Sequence, residues 1–301
     1  MESLIETSIL VGLLYSLFTI GLSISFRVLN YPDLTLEGSA ILGAAICLTT
    51  LNLIDDPYLG LLLGFFGGSL AGVFTGILHL YIKVSKLLSG IITSAILFSI
   101  NIRILGGKSN VRLTNDNSIF TMLNSGNSTA VSILILLALL IFVLLGLYII
   151  FKMRIGYLLR ILGDNKNFIY ALSKNPNVLT LIGLAIANGI IGLGGAVLVQ
   201  YKGTCDVNMS YGLLIGSFAA LIVSEALISS KRIIKYFIFC IVGTIIYSFV
   251  IGTILYSWRS DWEKYILGTD VRLFTGALLI LVTLISNIRK GKKYSLFNSD
   301  W

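Results

Sequence analysis

Asp33, Thr35, Glu37 and Ser39 fall within "RVLNYPDLTLEGSAILGAA", residues 27–45, between two stretches apolar enough to be buried in lipid. Two carboxylates and two hydroxyls in such a setting can line a path for a polar solute, titrate with a coupling ion, or cap a helix. Pro32 lacks a backbone donor and disfavours helix at Tyr31, so carbonyls there lose their partners. Unpaired backbone at membrane depth persists only inside protein or beside a water-filled cavity. Asp33, Thr35 and Ser39 can also cap the helix that restarts after the break. The stretch is therefore either a capped loop at the cytoplasmic interface or a re-entrant break that lines a pore.

A second constellation repeats the pattern. "GGAVLVQYKGTCDVNMSYGLLIGSFAA", residues 194–220, is helix, then a short polar break with Asp206 and Asn208, then a helix of small residues. Tyr31, Pro32 and Asp33 are echoed by Tyr201, Gly203 and Asp206. Interrupted apolar segments in corresponding positions of two halves point to an inverted repeat with its binding path between them. A tightly packed bundle with two unrelated glycine-rich hairpins is the plainer reading.

The elements that must carry these residues follow from composition. Charged residues make up 12% of the 301 and hydrophobic ones 56%, with mean hydropathy +0.94; soluble domains carry about 25% charged residues. Nine apolar runs have the length a helix needs to cross about 30 Å of hydrocarbon. They lie near 9–26, 34–53, 58–82, 86–106, 130–151, 177–200, 211–228, 236–257 and 271–288. The runs lack the two-residue alternation of a membrane barrel. The class is an all-α polytopic membrane protein of about nine transmembrane helices. Spans 1–4 (about 9–106) form the first inverted half and spans 6–9 (177–288) the second. The helix at 130–151 is extra, 152–176 is a cytoplasmic segment, and 289–301 is a basic cytoplasmic tail.

The net charge of +8 does not point to nucleic acid, because the positives gather in short loops and the tail. Alternation of the spans puts fifteen Lys and Arg on one side and seven on the other. The richer side is cytoplasmic by the positive-inside rule, so the N-terminus is expected outside and the C-terminus inside. Trp258 and Trp262 then fall at the outer interface. Three scattered cysteines and a single histidine, His79, exclude a disulfide framework and a histidine metal cluster. No cleavable signal is evident, and no metal or catalytic residue is expected. Asn101, Arg103, Asn188 and Glu225 are costly inside spans and none forms a proton relay. The phosphate-cradling G-x-x-x-x-G-K-[ST] loop is missing, so ATP and Mg, if used, belong to a separate polypeptide.

In the long basic loop, "DNKNFIYALSKN" after Gly163 predicts a short amphipathic helix, N-capped by Asp164, with Phe168, Ile169, Ala171 and Leu172 on one face. It either lies on lipid or docks on a partner. The order from "GDN" through "AN", "GGAVL", "QYKG" and "DVNM" resembles the permease subunits of ABC importers for branched-chain amino acids and ribose. "RVLNYPDLTLEGS", "LGAA" and "KLLSGIITSAILFSINIRILGGKSN" resemble the tryptophan/tyrosine-type branch of that superfamily. The likeness covers nearly the whole chain. It implies a type II ABC importer-like fold, a homodimer in the bacterial cytoplasmic membrane, a cytoplasmic ABC ATPase and an extracellular or periplasmic solute-binding protein. Gly163, Asp164, Asn165, Phe168, Ala171 and Leu172 would form the ATPase-coupling helix. Asp33, Thr35, Glu37 and Ser39 would line the translocation path, with Asp206 and Asn208 near its outer mouth. The solute would be an aromatic or branched-chain amino acid. An ion-gradient carrier working without an ATPase is the alternative, with Asp33 or Glu37 as its coupling carboxylate.

Overall fold

The computed structural model describes residues 2–114, 117–123, 128–210, 212–227, 233–259 and 271–289. Trp262, the side chain of Trp258 and the tail beyond 289 lie outside the described residues. The long helices follow the apolar runs: α1 Glu2–Ser23, α2 Leu36–Ile54, α3 Pro57–Leu80 and α4 Lys86–Ile104. After a short α5, Ile119–Leu123, come α6 Thr129–Lys152, α7 Arg154–Asp164, α8 Lys166–Ala171 and α9 Pro176–Lys202. The chain then runs through α10 Leu213–Leu227, α11 Ile233–Arg259 and α12 Val271–Arg289. Among the described residues, eight segments are long and apolar enough to cross a membrane. The ninth expected span, 271–288, coincides with a helix, α12, which is not one of those eight.

Helix boundaries have local causes. Asp56 caps α3 by accepting from Tyr58 N and Leu59 N, with Pro57 at the first helical position, where its missing N–H costs nothing. Asn175 and Pro176 open α9 in the same way, and Gly203, at φ +67°, closes it in the left-handed region. α1 does not end cleanly. It widens into a π-helical turn, Ile24–Val28, and Asn30 at φ +49° turns the chain back.

Contacts at the helix termini sort into two sets, as alternating spans require. At one end Arg27 pairs with Glu225, Lys86 Nζ donates to Asn30 O at 3.0 Å, and Gly163 packs on Val28. At the other, Thr114 N donates to Asn52 Oδ1 at 2.9 Å and Asn117 Nδ2 to Asp55 Oδ2 at 2.6 Å. A two-stranded antiparallel ladder, β1 Asn110–Arg112 with β2 Thr204–Asp206, joins the ends of α4 and α9 there. Among the described residues, this ladder interrupts an otherwise helical architecture.

α9 is the central helix, packed on α1, α2 and α3. Glycines let backbones touch. A Cβ on Gly43 would stand 2.1 Å from Gly192 O, and one on Gly68 2.2 Å from Asn188 O. Between helices in lipid the driving force is such close packing, since the tails are as apolar as leucine. The packed pairs also obey an exchange rule. α1 lies on α11 as α9 lies on α3; α2 on α3 and α4 matches α10 on α11 and α12; α2 on α9 matches α10 on α1. α6, resting on α1, has no counterpart.

Candidate translocation site

The first break is held by a buried polar network. Asp33, 2% exposed, accepts from Thr35 N at 2.9 Å and from the Thr35 hydroxyl through Oδ1. Its Oδ2 accepts from Asn188 Nδ2 at 2.7 Å, and Asn188 Oδ1 accepts from Ser39 Oγ at 2.7 Å. Thr35 Oγ1 lies 2.9 Å from Thr75 Oγ1, which is 3.1 Å from Thr93 Oγ1. Tyr31 OH lies 2.7 Å from Ser89 Oγ. One carboxylate thus ties the break to α9, and its hydroxyl neighbours tie it to α3 and α4. Asn188 is twelve residues on from Pro176 in α9, about 18 Å along the helix at 1.5 Å per residue. The break therefore reaches deep between the helices.

Capping is not how these residues act. Thr35 is the N-cap of α2 and makes no side-chain cap bond. Asp33 instead closes a turn onto Thr35 N, while Ser39 points at Asn188. Asp33, Thr35 and Ser39 are sealed among helices. Glu37, one turn away, is not: it borders a cavity of about 400 Å³ with Gly38, Ser94, Ala95, Phe98 and Asn101. Glu37 Oε1 accepts from Gly212 N at 3.2 Å. That contact brings the start of α2 against the start of α10, so the two breaks enter from opposite ends and meet.

In the second break Asp206 is paired in the ladder with Asn110 and accepts from Asn208 N at 2.8 Å. It starts the 3₁₀ turn Val207–Ser210 that leads to α10. Asn208 is exposed at the end of the molecule away from Val28. The two breaks are not copies in detail: Tyr31 is buried, whereas Tyr201 is 39% exposed.

The basic loop is two helices rather than one. α7 buries Gly156, Leu159 and Leu162, and α8 follows after Asn165. The N-cap of α8 is Asn165, accepting from Asn167 N at 2.9 Å and Phe168 N at 3.3 Å; Asp164 is the last residue of α7. The expected apolar face is divided, with Ile169 turned inward and the other three outward. Only Ile169 is buried, while Phe168, Ala171 and Leu172 are exposed. Gly163 explains how α7 reaches the break, since a Cβ there would stand 2.1 Å from Val28 O.

Sequence reasoning missed two groups. Arg27 clamps Glu225 through both Nε and Nη2, and Tyr236 OH donates to Glu225 Oε1 at 3.0 Å. Thr75 and Thr93 extend the Asp33 network, and threonines spaced along helices give no signal of their own. Among the described residues no cluster of His, Cys, Asp and Glu could hold a metal ion.

A family model described as "Branched-chain amino acid transport system / permease component" matches residues 4–283. The chain is 33% identical over 282 residues to a "Tyrosine transport system permease protein" of Clostridioides difficile (strain R20291), covering 94% of this chain and 91% of that one. It is 27% identical over 241 residues to an uncharacterized protein of Rickettsia prowazekii (strain Madrid E), covering 79% and 84%. No solved structure gives a significant match.

Proposed function

Because this chain belongs to the branched-chain amino acid transport permease family, we propose that its two breaks form the gate of an ATP-driven path for an aromatic amino acid. The chain is the membrane-spanning permease component of an ABC transport system, and not an enzyme. Permeases of such systems work with an ATPase and a solute-binding protein. The similarity to a tyrosine permease favours tyrosine or a related amino acid as the solute.

Our reading assigns the parts as follows. The exposed side of α8, with Phe168 and Leu172, receives the ATPase in the cytoplasm. This places the C-terminus inside and the N-terminus outside, in the inner membrane. Gly163 in α7 passes the movement to Val28. Asp33, Thr35 and Ser39 hold the break as one body with α9, while Glu37 lines the path. Asp206 and Asn208 border its outer mouth, where the solute-binding protein docks. Two copies of the chain enclose the path, α4 offering Leu87, Ile91 and Phe98 as exposed apolar residues for the contact.

The observation that carries this is the backbone contact of Gly163 with Val28 O. It leaves no side chain between the exposed helix pair and the break, so displacement of one must displace the other. The test is co-purification and ATP-driven uptake with Phe168→Asp and Leu172→Asp. Loss of both the ATPase and uptake, with the permease still folded, supports the assignment. Retention of the ATPase by both variants rejects it.

A further inference from the structure

We propose that the apolar groove between α3, α6 and α9 holds one acyl chain of an anionic phospholipid, with Lys152, Arg154 and Arg160 receiving its headgroup. The inference needs the membrane-spanning fold but not the identity of the solute. The groove has a volume of about 460 Å³, within the range of about 300–1,000 Å³ of small-molecule sites. Val143, Leu147 and Ile190 in its walls are buried, while Leu62, Phe66 and Phe142 are exposed at its rim. Tyr58, at the start of α3, is the only lining residue with a polar side chain. Gly146 leaves room in the α6 wall, since nothing lies within 4 Å of where its Cβ would stand. By the exchange rule a counterpart of α6 would rest on α9 as α6 rests on α1. The described residues supply none, and the groove opens on α9.

Length and charge decide the occupant. The α6 wall runs from Leu139 to Ile150, about 16 Å at 1.5 Å per residue. That is the depth of about one leaflet of a hydrocarbon core about 30 Å thick, whereas a spanning helix needs the whole of it. Cations gather at the Ile150 end. Lys152 closes α6, Arg154 opens α7, and Arg160 Nη2 donates to Phe151 O at 3.5 Å, which brings it back to the end of α6. Residues 129–163 contain no acid, and among the described residues none of these three cations is in an ion pair. Long basic side chains at a helix end keep their charge at headgroup level, and basic sites between spanning helices take anionic headgroups. A zwitterionic headgroup carries its own cation and gains less from them.

The test is lipid binding by the full complex of permease and partner ATPase, purified in detergent and washed free of lipid. It is titrated with dioleoyl phosphatidylglycerol or dioleoyl phosphatidylethanolamine and read by native mass spectrometry. One phosphatidylglycerol per permease chain is expected, bound about fivefold tighter or more than phosphatidylethanolamine, the scale of one basic side chain near an anionic lipid. Gly146→Phe, which fills the groove, is expected to abolish that binding. Arg154→Gln combined with Arg160→Gln is expected to bring the two affinities together. Equal affinities in the wild type, or binding that Gly146→Phe leaves unchanged, overturn the proposal. A polypeptide held by the wild type and lost from Gly146→Phe, with no lipid bound at the site, overturns it in favour of a helix. If Gly146→Phe fails to fold, Gly146→Leu replaces it with the same expectation. A preference for phosphatidylglycerol that survives the double arginine substitution overturns the headgroup assignment.

Discussion

Gly163→Ala is the smallest change that should separate the coupling segment from the break. The added Cβ would lie 2.1 Å from Val28 O and 3.0 Å from Val28 C. Comfortable C···O contact begins near about 3.3 Å, so α7 or the break must retreat by about 1.2 Å. Neither has an easy direction, since Leu159 and Leu162 on α7 are buried and Leu29 is wedged over Gly183. Overpacking of this kind costs about 1–3 kcal/mol. Replacing Gly by Ala in a helix returns up to about 1 kcal/mol, which leaves a net loss. Gly146→Ala on α6 is the control, because nothing lies within 4 Å of its Cβ. The assay is thermal unfolding of the purified complex alongside ATP hydrolysis and ATP-driven uptake. We expect a lower Tm and uptake per ATP reduced several-fold for Gly163→Ala, with Gly146→Ala at or slightly above the wild-type Tm and unchanged in coupling. Wild-type Tm and wild-type coupling in Gly163→Ala would refute the close-contact argument.

Asp33→Ala strips the acceptor from Thr35 N–H, the Thr35 hydroxyl and Asn188 Nδ2 at once. The Thr35 hydroxyl can turn to Thr75 Oγ1 at 2.9 Å, which leaves two orphaned buried donors at about 1–3 kcal/mol each, so a loss of about 2 kcal/mol or more is expected in denaturant titration. Asp33→Asn should lose less, because the Asn188 amide and the Ser39 hydroxyl can both turn round. Arg27→Glu and Glu225→Arg should each weaken folding or gating, and the double swap should recover part of it, as thermal melts of the cycle will show. Arg27 is 55% exposed, so the measured coupling should be no more than about 1 kcal/mol. Burial pushes the Cys205 thiol up to about 12. Only the thiolate reacts, so between pH 7 and 9 this cysteine should take no maleimide until the chain is unfolded, a rate readily followed by mass.

Much of the scaffold was legible in the sequence because lipid imposes length and apolarity on every span. Nine runs are expected from the sequence; among the described residues eight meet the length and apolarity of a span, and 271–288 coincides with the helix α12. The two breaks could be found because Pro32, Gly203 and the acids violate that rule locally. What the sequence concealed depends on partners far apart in the chain. Asp33 lies 155 residues from Asn188, and Arg27 lies 198 from Glu225; no local pattern pairs them. The helix cap was misplaced by one residue because Asp164 and Asn165 are both good caps, and only the continuation of α7 through Asp164 decides between them. β1 and β2 are three residues each, too short for alternation to declare them.

The central claim is that ATP hydrolysis on a partner moves the breaks of this chain through α7 and α8. The most direct measurement is uptake of radiolabelled tyrosine into proteoliposomes holding the complex purified from its own membranes, with its solute-binding protein added outside and ATP and Mg enclosed within. The account predicts uptake that needs the ATP and the binding protein and disappears in Phe168→Asp. Uptake by the permease alone, driven by a sodium or proton gradient and indifferent to ATP, would contradict it.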